Sequence, residues 1–266
     1  MYNDYNDHDD RHVPGGPSRR RIVQLAAAGA AGLALAAGAP FAATASGAPG
    51  RSPGQSVPAP GVNGCADTKS EVLDALLLAE RVAATFYYTG LTTGAISAPA
   101  TRDGRVVLSH IAYVRRALAE EQAHAGLWRG AGAEGNQARF YFPVTTFTRL
   151  GYTGHGDVFL GVLDYLETVL VGVYLTAIGR LGVLGHINMA VMAVQILQTE
   201  CTHRVLGRAI AGDSPADNVT LEVESLSCSG DALDALRPFI TGHGFHGGVT
   251  PAIALPTDAQ VARVTR

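Results

Sequence analysis

The sequence predicts an all-α fold in which two helical hairpins are joined by one long crossover, with a short extra helix near the C-terminus. Three observations predict it. Apolar residues recur at 3.6-residue spacing over four separate stretches, and the members of each pair are separated by a short break. One irregular stretch of roughly 25 residues, long for a compact domain, divides the two pairs as a crossover would.

The chain begins with a polar, irregular stretch (MYNDYNDHDDRHVPGGP), followed by Ser18-Arg19-Arg20-Arg21-Ile22-Val23-Gln24 and the Ala/Gly/Leu run Leu25 to Ala39. A charged segment, an apolar stretch and the small residues Ala43-Thr44-Ala45 predict a signal peptide over 1–45, cut after Ala45. Arg19 and Arg20 before a weakly apolar core resemble a twin-arginine export signal, with Gln24 where that signal usually carries lysine. The resemblance implies a bacterial-type protein, handed folded to the twin-arginine export machinery and delivered outside the cytoplasm. An uncleaved run would instead anchor the chain, but Gly-rich sequence broken by Pro40 is poor material for a membrane span. Residues 46–64 are Pro/Gly/Ser-rich and read as a flexible linker.

Within the expected domain, 65–241, Thr68-x-x-Glu71 is a capping-box pattern opening a helix to about Leu91, with Leu73, Leu76, Leu77, Ala83, Ala84 and Tyr87 on one face. A second helix is expected from near Gly104 to Arg129, carrying Val107, Ile111, Val114, Ala117, Leu118 and Trp128. After the crossover, in which Phe140 to Phe147 is the only strand-like stretch, a third helix is expected over Asp157 to Gly179. Residues Arg180 to Gly185 read as a turn, and a fourth helix runs from His186 to about Ala211. A short fifth, Asp231 to Ile240, is expected on the outside, and the tail 242–266 reads as loop.

Charged residues make up 16% of the 266, below the roughly 25% usual in soluble domains, and the net charge is −3. With acidic residues outnumbering the 20 basic ones, of which Lys69 is the single lysine, no basic field exists for nucleic acid. Three cysteines are too few for a disulfide scaffold and lack zinc-site spacing.

Against this sparse charge, each apolar stripe contains a glutamate. Glu80 lies among Leu76, Leu77, Ala83 and Ala84; Glu121 among Ala117, Leu118 and His124; Glu167 between Leu163 and Leu170; Glu200 between Ile196 and His203. A lone buried carboxylate costs several kcal/mol, so four such placements need a common reason. The second and fourth helices carry Glu121-x-x-His124 and Glu200-x-x-His203, and residues at i and i+3 can offer an oxygen and a nitrogen to one metal. Nine glutamates and nine histidines in this length give about 0.3 such pairs by chance. The halves repeat each other, because Glu80 precedes Tyr87 by seven residues and Glu167 precedes Tyr174 by seven. Two lone glutamates and two Glu-x-x-His pairs in a bundle core form the dimetal carboxylate arrangement. Two divalent cations would neutralise the four carboxylates.

The stretches LLLAERVAATFYYTGL, ALAEEQAHAGLW, VLDYLETVLVGVYL and LQTECTHRVL resemble the ferritin-like superfamily, specifically the exported ferritin-like domain family that includes desiccation-related proteins. The resemblance covers about Asp67 to Ala211 and implies a ferritin-like four-helix bundle. It also implies a dinuclear site of two divalent ions, iron first and manganese second, on Glu80, Glu121, His124, Glu167, Glu200 and His203. Zinc suits the donor set less specifically. In the superfamily's pattern Glu121 and Glu200 bridge, Glu80 and Glu167 are terminal, and each histidine caps one metal. The chemistry implied is iron oxidation or consumption of O₂ or peroxide. The alternative is a noncatalytic envelope or stress protein whose metals staple the bundle.

Several residues stay open between two readings. Asp164 either orients a ligand histidine or is a solvated helix-edge carboxylate. Tyr87 and Tyr174 are redox-active or packed in the core, and His110 is read as a core or bundle-end residue. Cys65 and Cys228 flank the bundle and either pair after export or stay free. Cys201 points about 100° off the metal face and reads as a small buried apolar residue. His243 and His246 sit in a Gly-rich stretch and read as unligated, and the Asn218-Val-Thr220 triplet carries little meaning in a bacterial-type protein.

Overall fold

The computed structural model describes residues 65–96, 110–148, 158–213, 215–217 and 226–266. The expected signal peptide with Arg19 and Arg20, the linker, the start of the second helix and Asn218 lie outside these residues. The described chain is all-α apart from one two-stranded ribbon. Its elements are α1 (Lys69–Thr93), α2 (His110–Gly130), β1 (Arg139–Phe140), α3 (Val158–Val183), α4 (Ile187–Ile210), α5 (Ser229–Thr241), β2 (Ile253–Ala254) and α6 (Asp258–Val264).

Helix α1 starts where the sequence places it. The Thr68 hydroxyl accepts from the Glu71 amide at 3.3 Å while the Thr68 amide donates to the Glu71 carboxylate at 2.7 Å, so two otherwise orphaned donors are satisfied. Gly94, in the left-handed region at φ 70°, closes the helix. Helices α1 and α2 form one hairpin, α3 and α4 the other, and α1 packs on α3 across the middle. Helix α1 is central: α2, α3, α5 and α6 all cover it, which explains why 16 of its residues are buried.

Three features differ from the sequence reading. Helix α3 continues through Arg180 and Leu181 to Val183, where glycines at 179 and 182 suggest an earlier stop. The added turn is held by tertiary contacts. Leu181 is fully buried, and Arg180 donates to the Cys65 carbonyl at 2.8 Å and meets Asp67 at 3.0 Å. The real stop is Gly185, at φ 79°. The tail 242–266 is more ordered than a loop: β2 pairs antiparallel with β1, with Phe140 opposite Ile253, and α6 packs on α2. Helix α5 is not merely external, since Ala232, Leu236 and Phe239 are buried against the bundle.

One end of the core is aromatic. Phe86 stacks on Phe159 with centroids 4.4 Å apart, and Phe142 links Phe86 at 5.7 Å to Phe239 at 5.6 Å. Cys65 and Cys228 are joined by a disulfide, with Cα atoms 5.7 Å apart, tying the entry of α1 to the start of α5. Beside it, Asp67 accepts from the Ser229 amide at 3.0 Å and hydroxyl at 2.7 Å.

Candidate metal centre

The four glutamates of the helical stripes, Glu80, Glu121, Glu167 and Glu200, are completely buried, His203 is 2% exposed and His124 8%. Each comes from the inward stripe of its own helix, so hairpin pairing brings them to one level. They form two groups whose donor atoms all lie within 4.8 Å of one another. One is Glu80, Glu121, His124 and Glu200; the other is Glu121, Glu167, Glu200 and His203. Glu121 and Glu200 belong to both.

The charge in this volume is not compensated by ordinary hydrogen bonding. Neither oxygen of Glu121 or Glu200 takes part in a well-formed hydrogen bond, and Glu80 and Glu167 each leave Oε2 without one. What faces these oxygens is imidazole. His124 Nδ1 lies 3.1 Å from Glu200 and 3.5 Å from Glu80, and His203 Nδ1 lies 2.9 Å from Glu121 and 3.6 Å from Glu200. Buried polar atoms are almost always satisfied, so a cage of unsatisfied oxygens and nitrogens converging on one volume is compatible with a metal site.

The titration behaviour follows the same crowding. Burial raises Glu121 well above the carboxylate range, and the charges of Glu200 and Glu80 push the same way. Burial lifts Glu167 to about 8. Burial also works to raise Glu200, but its contacts with His124 and His203 prevail and leave it lowered. For His124, burial opposes the charge, yet Glu200 and Glu80 lift it to about 10. For His203 the same burial works downward, yet Glu120, Glu121 and Glu200 raise it well above its ordinary value.

The tyrosines are crossed between the halves. Tyr87 on α1 donates to Glu167 on α3, and Tyr174 on α3 donates to Glu80 on α1. Each phenol therefore orients the lone glutamate of the other hairpin. Burial, then the glutamate charge, raises both phenols far above their ordinary range, so they act as neutral donors. Trp128 Nε1 donates to the Tyr174 oxygen at 2.8 Å, extending one arm by a further residue.

Three neighbours escaped the sequence reading. Glu120 meets the outer nitrogen of His203 at 2.9 Å and is itself held by Arg116 Nε at 2.6 Å. Tyr113 donates to the His203 carbonyl at 2.7 Å, and Trp128 acts through Tyr174 as above. The Arg116-x3-Glu120 spacing was the available signal, but it describes any surface ion pair. Asp164 faces Arg208 on α4 at 3.8 Å. His110 is buried at the start of the described part of α2, and burial lowers its pKa. His243 and His246 are exposed in the tail, and Cys201 is half-buried and carries no disulfide.

A four-helix bundle with a buried carboxylate–imidazole cluster defines the class of protein. A model of the ferritin-like domain family matches residues 68–213, more than half of the chain, and the protein belongs to that family. No curated protein and no solved structure matches it.

Proposed function

We propose that this is an exported protein holding a dinuclear iron or manganese centre, with iron the favoured metal, that oxidises iron or consumes O₂ or peroxide. The observation that carries the reading is the sharing of Glu121 and Glu200 between two donor groups while their oxygens face only imidazole and form no well-aligned hydrogen bond. Glu80 and His124 would hold one ion and Glu167 and His203 the other, with Glu121 and Glu200 available to both. Two such ions cancel the four carboxylate charges and supply redox and Lewis-acid chemistry toward O₂ or peroxide. The chain's own part is to hold this donor set in a buried core. Tyr87 and Tyr174 fix the terminal glutamates, and Glu120 fixes His203.

Export is supported by the twin-arginine-like start and by the Cys65–Cys228 disulfide, which suits an oxidising compartment. Metal analysis of the protein purified after export tests the site. Two iron or manganese ions per chain, lost in E121A/E200A, support it; a folded protein that takes up neither ion overturns it. O₂ and peroxide consumption by the loaded protein then separates an enzyme from an envelope or stress protein whose metals only staple the bundle.

A further inference from the structure

A cavity of about 500 Å³ lies between the α1–α2 hairpin and the segment leading into α6, apart from the carboxylate cluster. Arg81 of α1 and Arg129 of α2 both line it. Among the described residues neither guanidinium joins an ion pair, whereas Arg116, Arg180, Arg208 and Arg237 all do. Arg81 is fixed in place: its Nη1 donates to the carbonyls of Gly135 and Gln137, and that loop is pinned in turn by Asp74, which accepts from the Gly135 amide at 3.0 Å. Its Nε is buried and meets no acceptor. Burial, then the nearby Arg129 charge, lowers the Arg81 pKa against the opposing charge of Asp74, so the two cations are only partly compensated.

The remaining lining selects among anions. Ala138 and Leu255 add apolar surface, and the one carboxylate in the lining, Asp258, is engaged by Gln122. Two guanidinium groups against one carboxylate leave the cavity with a net positive charge. Its volume falls in the usual range for small-molecule sites, far larger than an inorganic ion needs. We propose that this cavity binds a small organic anion, whose carboxylate is held by Arg81 and Arg129 and whose apolar part rests on Ala138 and Leu255. The guanidinium fork matches carboxylate geometry, and a pre-fixed fork loses little freedom on binding.

The test is calorimetric titration of the full chain with succinate, and separately with inorganic phosphate, at constant ionic strength. Saturable succinate binding is expected, weakened about tenfold in R129Q, since one charge-assisted contact is removed. The Arg129 side chain is exposed and joins no hydrogen bond or ion pair among the described residues, so this variant avoids the folding risk of changing Arg81. D258N removes the opposing charge and is expected to tighten succinate, an effect that general damage to the fold would not give. R115Q, altering an exposed arginine outside the cavity, is expected to bind as the unchanged chain does. Absence of succinate binding, binding of phosphate alone, or equal loss in R115Q and R129Q overturns the proposal.

Discussion

His203 on α4 and Glu120 on α2 meet at 2.9 Å through the ring nitrogen turned away from the carboxylate cluster. Glu120 is the neighbour of Glu121 in sequence, so one turn of α2 sends one carboxylate into the cluster and the other behind the opposite histidine. A carboxylate in that position fixes the ring and raises its basicity as a ligand. The E120A variant is expected to bind metal about 10- to 100-fold more weakly with the helical signal unchanged. E120Q, which can keep the contact without the charge, is expected to fall between. Competition against a chelator of known affinity measures both.

Metal uptake is expected to release about four protons per chain at pH 7. His124, at about 10, His203 and Glu121, both raised well above their ordinary values, and Glu167, at about 8, all hold a proton in the metal-free protein. Ligation requires their loss. Titration in buffers of different ionisation enthalpy reads the number directly, and a value near zero contradicts the assignment.

The same groups set how stability depends on pH, with opposite signs in the two forms. Glu167 and His124 are raised above their unfolded values, so the stability they contribute is complete below about 4.5 and 6.5 and is lost as pH rises through about 8 and 10. Glu200 is lowered and acts only at more acidic pH. The metal-free protein is therefore expected to melt at progressively lower temperature from pH 5 to pH 9. The loaded protein is expected to lose stability toward acid, where protons displace metal. Thermal melts with and without chelator across this range check both slopes.

Trp128 is the single tryptophan, and its indole donates to Tyr174. Tyr174→Phe removes that acceptor and leaves Glu80 without its phenol donor. The emission of Trp128 is expected to change in Y174F and to stay unaltered in Y87F, whose phenol serves Glu167. Each variant is expected to lose on the order of 1 kcal/mol of stability in the metal-free protein. Fluorescence and chemical denaturation separate the two effects.

Gly90 on α1 packs under Phe159, where an added Cβ would lie 2.8 Å from the ring's Cζ. Gly90→Ala improves helix propensity by about 1 kcal/mol but forces Phe159 off its stack with Phe86. The clash is expected to prevail, with a net loss of about 1–2 kcal/mol in denaturant unfolding.

Much of the centre was legible because its residues break a strong pattern. Glu80, Glu121, Glu167 and Glu200 stand on apolar stripes where solvated carboxylates do not belong, and Glu-x-x-His fixes the faces of α2 and α4. The Glu-x6-Tyr repeat was visible too, but its partner was not. A seven-residue spacing puts Tyr87 two turns along from Glu80 on its own helix, and only the packing of α1 on α3 shows that it reaches Glu167 instead. Glu120 was hidden because a glutamate four residues after an arginine looks like surface. The extension of α3 past Gly179 depends on Arg180 finding Asp67 and Cys65, contacts more than a hundred residues away in sequence. The tail escaped because α6 and β2 are short, and their periodicity is too brief to read before β1 is in place.

The disulfide between Cys65 and Cys228 spans 163 positions, and all six carboxylate and imidazole donors lie inside that span. The two hairpins are thus threaded on one covalent ring. A protease that severs the backbone anywhere in the crossover between α2 and α3 opens the ring without dividing it, and Glu80, Glu121 and His124 stay on the same molecule as Glu167, Glu200 and His203. Reduction alone leaves the donors on one chain, and so does a cut alone. Only both together turn the centre into a meeting of two fragments, whose reassembly then depends on concentration.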